Sequence, residues 1–171
     1  RRGSYRRIEA DCRPVNWLDA PQTPLDLRFP LGIEDLAVVM PGNVMVIAGV
    51  SNAGKTAFLM NFAKMNMRAR KVHYFSSEMG AEEFLLRVRE HDDLPIDEWK
   101  RMEFYEHSGN YADVIRPDDI NIIDFLELHE DFWKVGGLIS DIHQKLNRGC
   151  AFIAIQKNPG AEHGLGGARS I

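Results

Sequence analysis

The sequence predicts an α/β domain in which helices flank a mostly parallel central sheet. One observation is a strand–loop–helix order: the apolar run 43–48 enters a glycine-rich loop, and helix-forming residues 57–65 follow. A second observation is that strand-like runs recur along the chain, at 72–75, 120–124 and 150–155. Runs that are apolar throughout are typical of parallel strands buried on both faces, so the strand at 44–48 is expected to be central.

The segments between these strands are predicted in order. A short helix or turn covers 32–39, and Pro41-Gly42 forms a turn. A helix is expected at 81–91, followed by polar, irregular residues that contain a short helix at 96–101 and an edge strand at 102–106. Six apolar residues then recur at helical spacing and predict an amphipathic helix before a stop at Gly149: Phe132, Val135, Leu138, Ile139, Ile142 and Leu146.

Length and composition favour one globular domain. The chain has 171 residues, of which 44% are hydrophobic and 27% charged. Residues 1–30 are proline-rich and are predicted to be a linker or lead-in segment, with residues 31–171 forming the core. The arginines within residues 1–7 have two interpretations, a contact with nucleic acid or a solvated tail.

The overall charge and the apolar runs limit the function classes. A net charge of −4 excludes a domain that is basic throughout, as many nucleic-acid binders are. No apolar run approaches 18 residues and the amino terminus lacks a signal-peptide pattern, so we expect a cytoplasmic protein without a membrane segment. Cys12 and Cys150 are far apart and lack a C-x-x-C companion, which argues against a disulfide framework or a zinc site.

A phosphate-binding pattern carries the strongest chemical signal. Gly49–Thr56, here called the 49–56 loop, matches G-x-x-x-x-G-K-[ST] at every fixed position. Its glycines allow a tight turn, and the backbone N–H groups together with the following helix N-terminus attract phosphate. The pattern predicts that Lys55 reaches the β- and γ-phosphates of a nucleotide and that the Thr56 hydroxyl takes one Mg²⁺ position. The predicted nucleotide-binding residues are Gly49, Ser51, Asn52, Ala53, Gly54, Lys55, Thr56 and Ala57.

Two acidic residues follow later strands. Asp124 ends the strand 120–124, which is typical of a Walker B acid that orients Mg²⁺ or its waters. Glu78 lies just past the strand 72–75, where open α/β sheets place their ligands. Its position alone leaves two interpretations even. Glu78 is either a base that accepts a proton from the water that attacks the γ-phosphate, or an acid in the first turn of the next helix, where the helix dipole stabilises it.

The order of these features resembles the RecA-like ATPases, and most closely the ATPase domain of DnaB-type replicative helicases. Residues 41–58 are similar to that family's lead-in and Walker A motif, Phe75-Ser76-Ser77-Glu78-Met79 with Ala81-Glu82 to its catalytic-glutamate motif, and residues 123–128 to its Walker B motif. The similarity extends over about residues 32–158. Within this family, the sequence resembles replication proteins of phages and mobile elements best.

This resemblance implies roles for the matching residues. Lys55 and Thr56 bind phosphate and Mg²⁺, Glu78 activates water, Asp124 supports the metal, and Gln156 senses the γ-phosphate of ATP. It also implies a homo-oligomeric ring or filament, and single-stranded DNA held by a loop at 158–168. Partners among replication proteins are a further expectation.

The sequence departs from this family in two places. Few cations follow Gln156, among them Lys157 and Arg169, and the final strands of a RecA-like sheet are expected beyond residue 171. Arg169 is a candidate for the arginine finger. Two interpretations therefore stay open: an ATP-hydrolysing helicase motor, and a nucleotide-switched loader, regulator or recombinase-like ATPase that does not unwind DNA.

Overall fold

The structure, a computed structural model, describes residues 14–20, 23–126 and 132–156. Within them, five strands form one sheet: β1 (Val44–Gly49), β2 (Val72–Ser76), β3 (Met102–Glu106), β4 (Ile120–Leu126) and β5 (Cys150–Gln156). Four α-helices connect them: α1 (Lys55–Asn66), α2 (Ala81–Arg89), α3 (Tyr111–Val114) and α4 (Phe132–Lys145). Two 3₁₀ helices span Pro30–Asp35 and Ile96–Arg101.

All strand pairs in this sheet are parallel, in the order β1-β5-β4-β2-β3. The predicted α/β class with a parallel sheet flanked by helices is thereby confirmed. The strands begin and end within two residues of their predicted limits. The one-turn helix α3 was not predicted, because four residues are too few to show a helical period.

The predicted central position of β1 is wrong for the described residues, in which β1 lies at one edge of the sheet and pairs only with β5. Its Val46 is 40% exposed, whereas β5 is buried almost throughout. An apolar run shows that a strand can be buried. Its position in the sheet depends on which other strands pair with it. The edge position predicted for β3 is confirmed.

Alternate residues of the central strands pack on opposite faces of the sheet, as the two-residue period of a strand requires. Tyr74, Ile122 and Phe152 face a core that includes α1, whereas their successors Phe75, Ile123 and Ile153 face α3 and α4. Helices therefore cover both faces, and the carboxyl ends of β1, β5, β4 and β2 share one edge of the sheet.

Candidate nucleotide-binding site

The carboxyl edge of the sheet brings the predicted site residues together. Gly49 at the end of β1 is in register with Gln156 at the end of β5. Asp124 in β4 is in register with Ser76, the last residue of β2, and Glu78 follows two residues later. Parallel strands place their carboxyl ends on one side, so residues far apart in the sequence meet here.

The 49–56 loop turns from β1 into α1 with little room for side chains. Gly54 precedes α1 with a φ of 82°, a left-handed conformation that glycine adopts without strain. At Gly49, an added Cβ would lie 3.2 Å from the Ala53 Cβ, which is closer than ordinary contact. Ser51, Asn52, Ala53 and Gly54 are exposed, so their backbone is accessible to a ligand.

The Lys55 ammonium folds back across this loop. Its Nζ donates hydrogen bonds to the carbonyl oxygens of Gly49, at 3.1 Å, and Val50, at 2.8 Å. The cation is therefore held at the mouth of the loop, where it adds positive charge to the partial charge of the α1 N-terminus.

Thr56 and Asp124 meet across the site although they are 68 residues apart. The Thr56 Oγ1 donates a hydrogen bond to Asp124 Oδ1 at 3.2 Å, and the Tyr74 hydroxyl donates to Asp124 Oδ2 at 2.7 Å. Asp124 is 3% exposed. Burial raises the pKa of its carboxyl group, and the two hydrogen bonds oppose that shift.

Glu78 lies in a turn that is fixed at both ends. The Ser76 Oγ accepts a hydrogen bond from the Met79 N–H at 2.9 Å, and Glu106 Oε1 accepts one from the Ala81 N–H at 2.8 Å. Since α2 begins at Ala81, Glu78 precedes the helix and does not belong to its first turn. This geometry sets Glu78 apart from the acids Glu82 and Glu83, which do lie there.

A cavity of about 320 Å³ joins these residues, and its size falls in the range of small-molecule sites. Every predicted site residue except Gly49 lines it. The Gly49 carbonyl oxygen accepts a hydrogen bond from the Nζ of Lys55, which does line the cavity. The lining consists of Ser51, Asn52, Ala53, Gly54, Lys55, Thr56, Ala57, Glu78, Arg87, Asp124 and Gln156.

Arg87 is the one lining residue that sequence reasoning missed. It lies on α2, where its guanidinium donates to Glu83 Oε1 at 2.7 and 3.1 Å, and this hydrogen bond raises the pKa of Arg87. A basic residue on an amphipathic helix is normally solvated, so the sequence offers no signal that separates Arg87 from Arg89. Only the tertiary structure places Arg87 in the cavity that Asp124 also lines.

A neighbouring cavity of about 420 Å³ shares Glu78 with the first. It lies between the turn 76–80 and residues 106–108, beyond the ends of β2 and β3. It contains no residue of the 49–56 loop, for which the sequence predicts phosphate binding. The smaller cavity is therefore the candidate nucleotide site.

Other predicted features lie outside the described residues: the 158–168 loop, Arg169, the arginines of residues 1–7, and Cys12. Cys150 is a buried free thiol whose burial raises its pKa to about 12. In the described ranges, no helix is long and apolar enough to span a membrane, and no three His, Cys, Asp or Glu side chains cluster as metal ligands.

A parallel sheet whose first strand enters a loop of the P-loop pattern, with acids near the carboxyl ends of β4 and β2, is the arrangement of RecA-like domains. Residues 34–106 match the family model of the DnaB-like helicase C terminal domain. The resemblance to DnaB-type helicase ATPase domains is therefore confirmed, and this family uses nucleotide and Mg²⁺ in general. The match includes the 49–56 loop and Glu78 and ends before Asp124. No curated protein matches the chain.

Proposed function

We propose that this chain is an ATP-hydrolysing motor domain of a DnaB-like helicase that acts on DNA. The observation that carries the proposal is the single cavity in which the 49–56 loop, Glu78, Asp124 and Gln156 meet. Phosphate-binding donors and carboxylates that converge from four strand ends suit phosphoryl transfer, which depends on positioning and charge stabilisation.

The loop is proposed to bind the phosphates of ATP. Backbone N–H groups of residues 51–56 and the N-terminus of α1 supply donors, and the Lys55 ammonium neutralises the β- and γ-phosphates. Arg87 provides a second cation at the cavity wall. These charges favour a polyphosphate over a neutral ligand.

Thr56 and Asp124 are proposed to hold Mg²⁺. Their oxygen atoms lie 3.2 Å apart at the cavity wall, and hydroxyl and carboxylate oxygens suit this hard cation. A bound Mg²⁺ would also offset the cost of burying an ionised carboxylate, because a buried charge such as that of Asp124 is stabilised by a cationic partner. When bound, Mg²⁺ neutralises charge that develops on the phosphate oxygens.

Glu78 is proposed to be the general base. Its carboxylate accepts a proton from a water molecule whose oxygen attacks the γ-phosphorus, while the bond to the β-phosphate oxygen breaks. Gln156 is proposed to sense the γ-phosphate and to relay its loss to the 158–168 loop. Single-stranded DNA at that loop and head-to-tail assembly of subunits complete the proposed motor.

The alternative is a nucleotide-switched loader, regulatory or recombinase-like ATPase that binds a protein partner or DNA without unwinding it. The net charge of −4 and the few cations after Gln156 favour this alternative. It requires ATP binding at the same cavity but little steady-state turnover.

Replacement of Glu78 tests the proposed chemistry. We expect Glu78→Gln to lower the ATP hydrolysis rate about 10²–10⁴-fold, because a general base contributes that much, while ATP affinity stays within about threefold. Phosphate release and titration with a fluorescent ATP analogue measure the two quantities. Glu90→Gln, an exposed change next to α2, is the matched control. An unchanged rate in Glu78→Gln would exclude the base, and unchanged ATP affinity in Lys55→Ala would exclude the site.

A further inference from the structure

The two carboxylate oxygens of Asp124 have different partners. Oδ1 accepts from Thr56, on the side of the 49–56 loop, and Oδ2 accepts from the Tyr74 hydroxyl at 2.7 Å, the shorter of the two bonds. One oxygen therefore faces the proposed metal position, and the other is bound to the protein interior.

Tyr74 is held firmly in place. Its side chain is fully buried in the core on the α1 face of the sheet, and its ring packs against Phe84 of α2 and Phe104 of β3 with centroids 5.6 and 6.2 Å away. Phe84 and Phe104 stack on each other at 4.1 Å. A phenol enclosed in this way has little rotational freedom, so its hydroxyl is directed at Asp124.

This hydrogen bond satisfies an acceptor of a buried carboxylate. A carboxylate oxygen left unpaired in the interior is costly, and a carboxylate held at one oxygen only is free to rotate about its χ2. The Tyr74 bond removes both problems, because it fixes the carboxylate plane and leaves Oδ1 toward Thr56.

We propose that Tyr74 is a positioning residue for Mg²⁺ binding, in that its hydroxyl orients the Asp124 carboxylate. This inference rests on the proposed function, which assigns Asp124 to the metal. Partners of this kind hold the groups that bind a metal in one orientation, and their loss typically lowers metal affinity 10–100-fold. The sequence placed Tyr74 in the predicted strand 72–75 and indicated no role in the site for it.

The same contacts connect α2 to the proposed metal position. Phe84 packs on Tyr74, and Arg87 follows Phe84 by three residues on the same helix. α2 therefore contacts the residue that orients Asp124 and also carries Arg87, which lines the cavity.

The test is a Mg²⁺ titration of fluorescent ATP analogue binding to the full chain. We expect Tyr74→Phe to raise the Mg²⁺ concentration at half-saturation about tenfold, with analogue affinity in EDTA unchanged. Tyr105→Phe is the matched control: it removes a hydroxyl on the other face of the sheet, bonded to His73 and Glu103, and should change the midpoint less than about twofold. Asp124→Asn is the positive control.

The outcomes separate this inference from the function on which it rests. A Tyr74→Phe midpoint within twofold of the parent, with Asp124→Asn shifted, overturns the Tyr74 role alone. An equal loss of affinity in EDTA also overturns it, because the role is then structural. If neither variant shifts the midpoint, the metal role of Asp124 fails as well.

A second variant covers the case in which Tyr74→Phe does not fold. Phe84→Leu keeps the hydroxyl but loosens the packing that directs it, so we expect the Mg²⁺ midpoint to rise about threefold, less than on loss of the bond. An unchanged midpoint in folded Phe84→Leu protein would overturn the positioning role.

Discussion

At the scale of single residues, the candidate site balances buried acid against two cations. Asp124 is buried and Glu78 lines the same cavity, while Lys55 and Arg87 approach from the loop and from α2. Lys55 is held by loop carbonyls and Arg87 by Glu83, so both cations have partners that a polyphosphate can replace. If the cavity binds ATP as proposed, we expect its affinity for the phosphates to depend on both cations.

Replacement of Arg87 tests its part in that balance. We expect Arg87→Gln to raise the dissociation constant for ATP about tenfold, or about 1.4 kcal/mol, because a hydrogen bond to a charged group contributes that much. Equilibrium titration with a fluorescent ATP analogue measures it. Arg89→Gln, an exposed arginine on the same helix that does not line the cavity, should leave the constant within about twofold. Equal effects of both changes would show that Arg87 has no specific contact.

At the scale of elements, the lead-in segment is attached to the helix that follows the 49–56 loop. Asn66 near the end of α1 accepts a hydrogen bond from the Arg28 N–H at 2.9 Å and donates to the Arg28 and Phe62 carbonyls, each at 2.7 Å. The rings of Phe29, Phe62 and Phe152 pack beside it, with centroids 4.1–5.9 Å apart. The predicted boundary at residues 30 and 31 stays a prediction.

Replacement of Asn66 tests this attachment. We expect Asn66→Ala to lower the free energy of unfolding by about 1–3 kcal/mol, because the backbone N–H and C=O of Arg28 lose a buried partner. Urea unfolding measures the loss, and limited proteolysis should show faster cleavage within residues 14–28. Asn61→Ala removes one hydrogen bond, to Ala57, on the same helix and should cost less than about 0.5 kcal/mol. Equal losses would mean that the attachment contributes nothing beyond an ordinary helix substitution.

At the scale of the whole molecule, the order of the strands produces the site. β1 pairs with β5, β5 with β4, and β4 with β2, so four strand ends surround one cavity. The proposed DNA loop would continue from β5, directly after Gln156. In the proposed motor, the residue that senses the γ-phosphate and the start of the loop that holds DNA are therefore two residues apart in the sequence.

A salt titration distinguishes the motor from the loader at this scale. If the 158–168 loop holds single-stranded DNA, log affinity should fall with log salt by about 0.7 for each phosphate contacted, because counterions are released. Fluorescence anisotropy with a labelled oligonucleotide measures the slope. Lys157→Gln combined with Arg169→Gln should reduce it. Lys145→Gln combined with Arg148→Gln, exposed cations near the opposite end of β5, should not. A sample that shows no salt-dependent binding of single-stranded DNA would favour the form of the alternative that binds a protein partner.

Much of this site could be predicted from the sequence because its residues lie in short sequence motifs with fixed spacing. The 49–56 loop needs glycines and a lysine at fixed spacing, and Glu78, Asp124 and Gln156 each follow an apolar run that fixes them at a strand end. Apolar periodicity likewise gave the five strands and the longer helices nearly to their limits.

The tertiary structure alone decided which residues meet. β1 proved to be an edge strand among the described residues, because pairing partners are not encoded in the run itself. Arg87 and Tyr74 carry no local signal: one is a charged residue on a helix and the other an aromatic residue in a strand. Tyr74 bonds Asp124 only because β2 and β4 are neighbours in the sheet, and Arg87 lines the cavity only because of where α2 lies. Hydrogen bonds and charge act over a few ångströms of space and not along the chain.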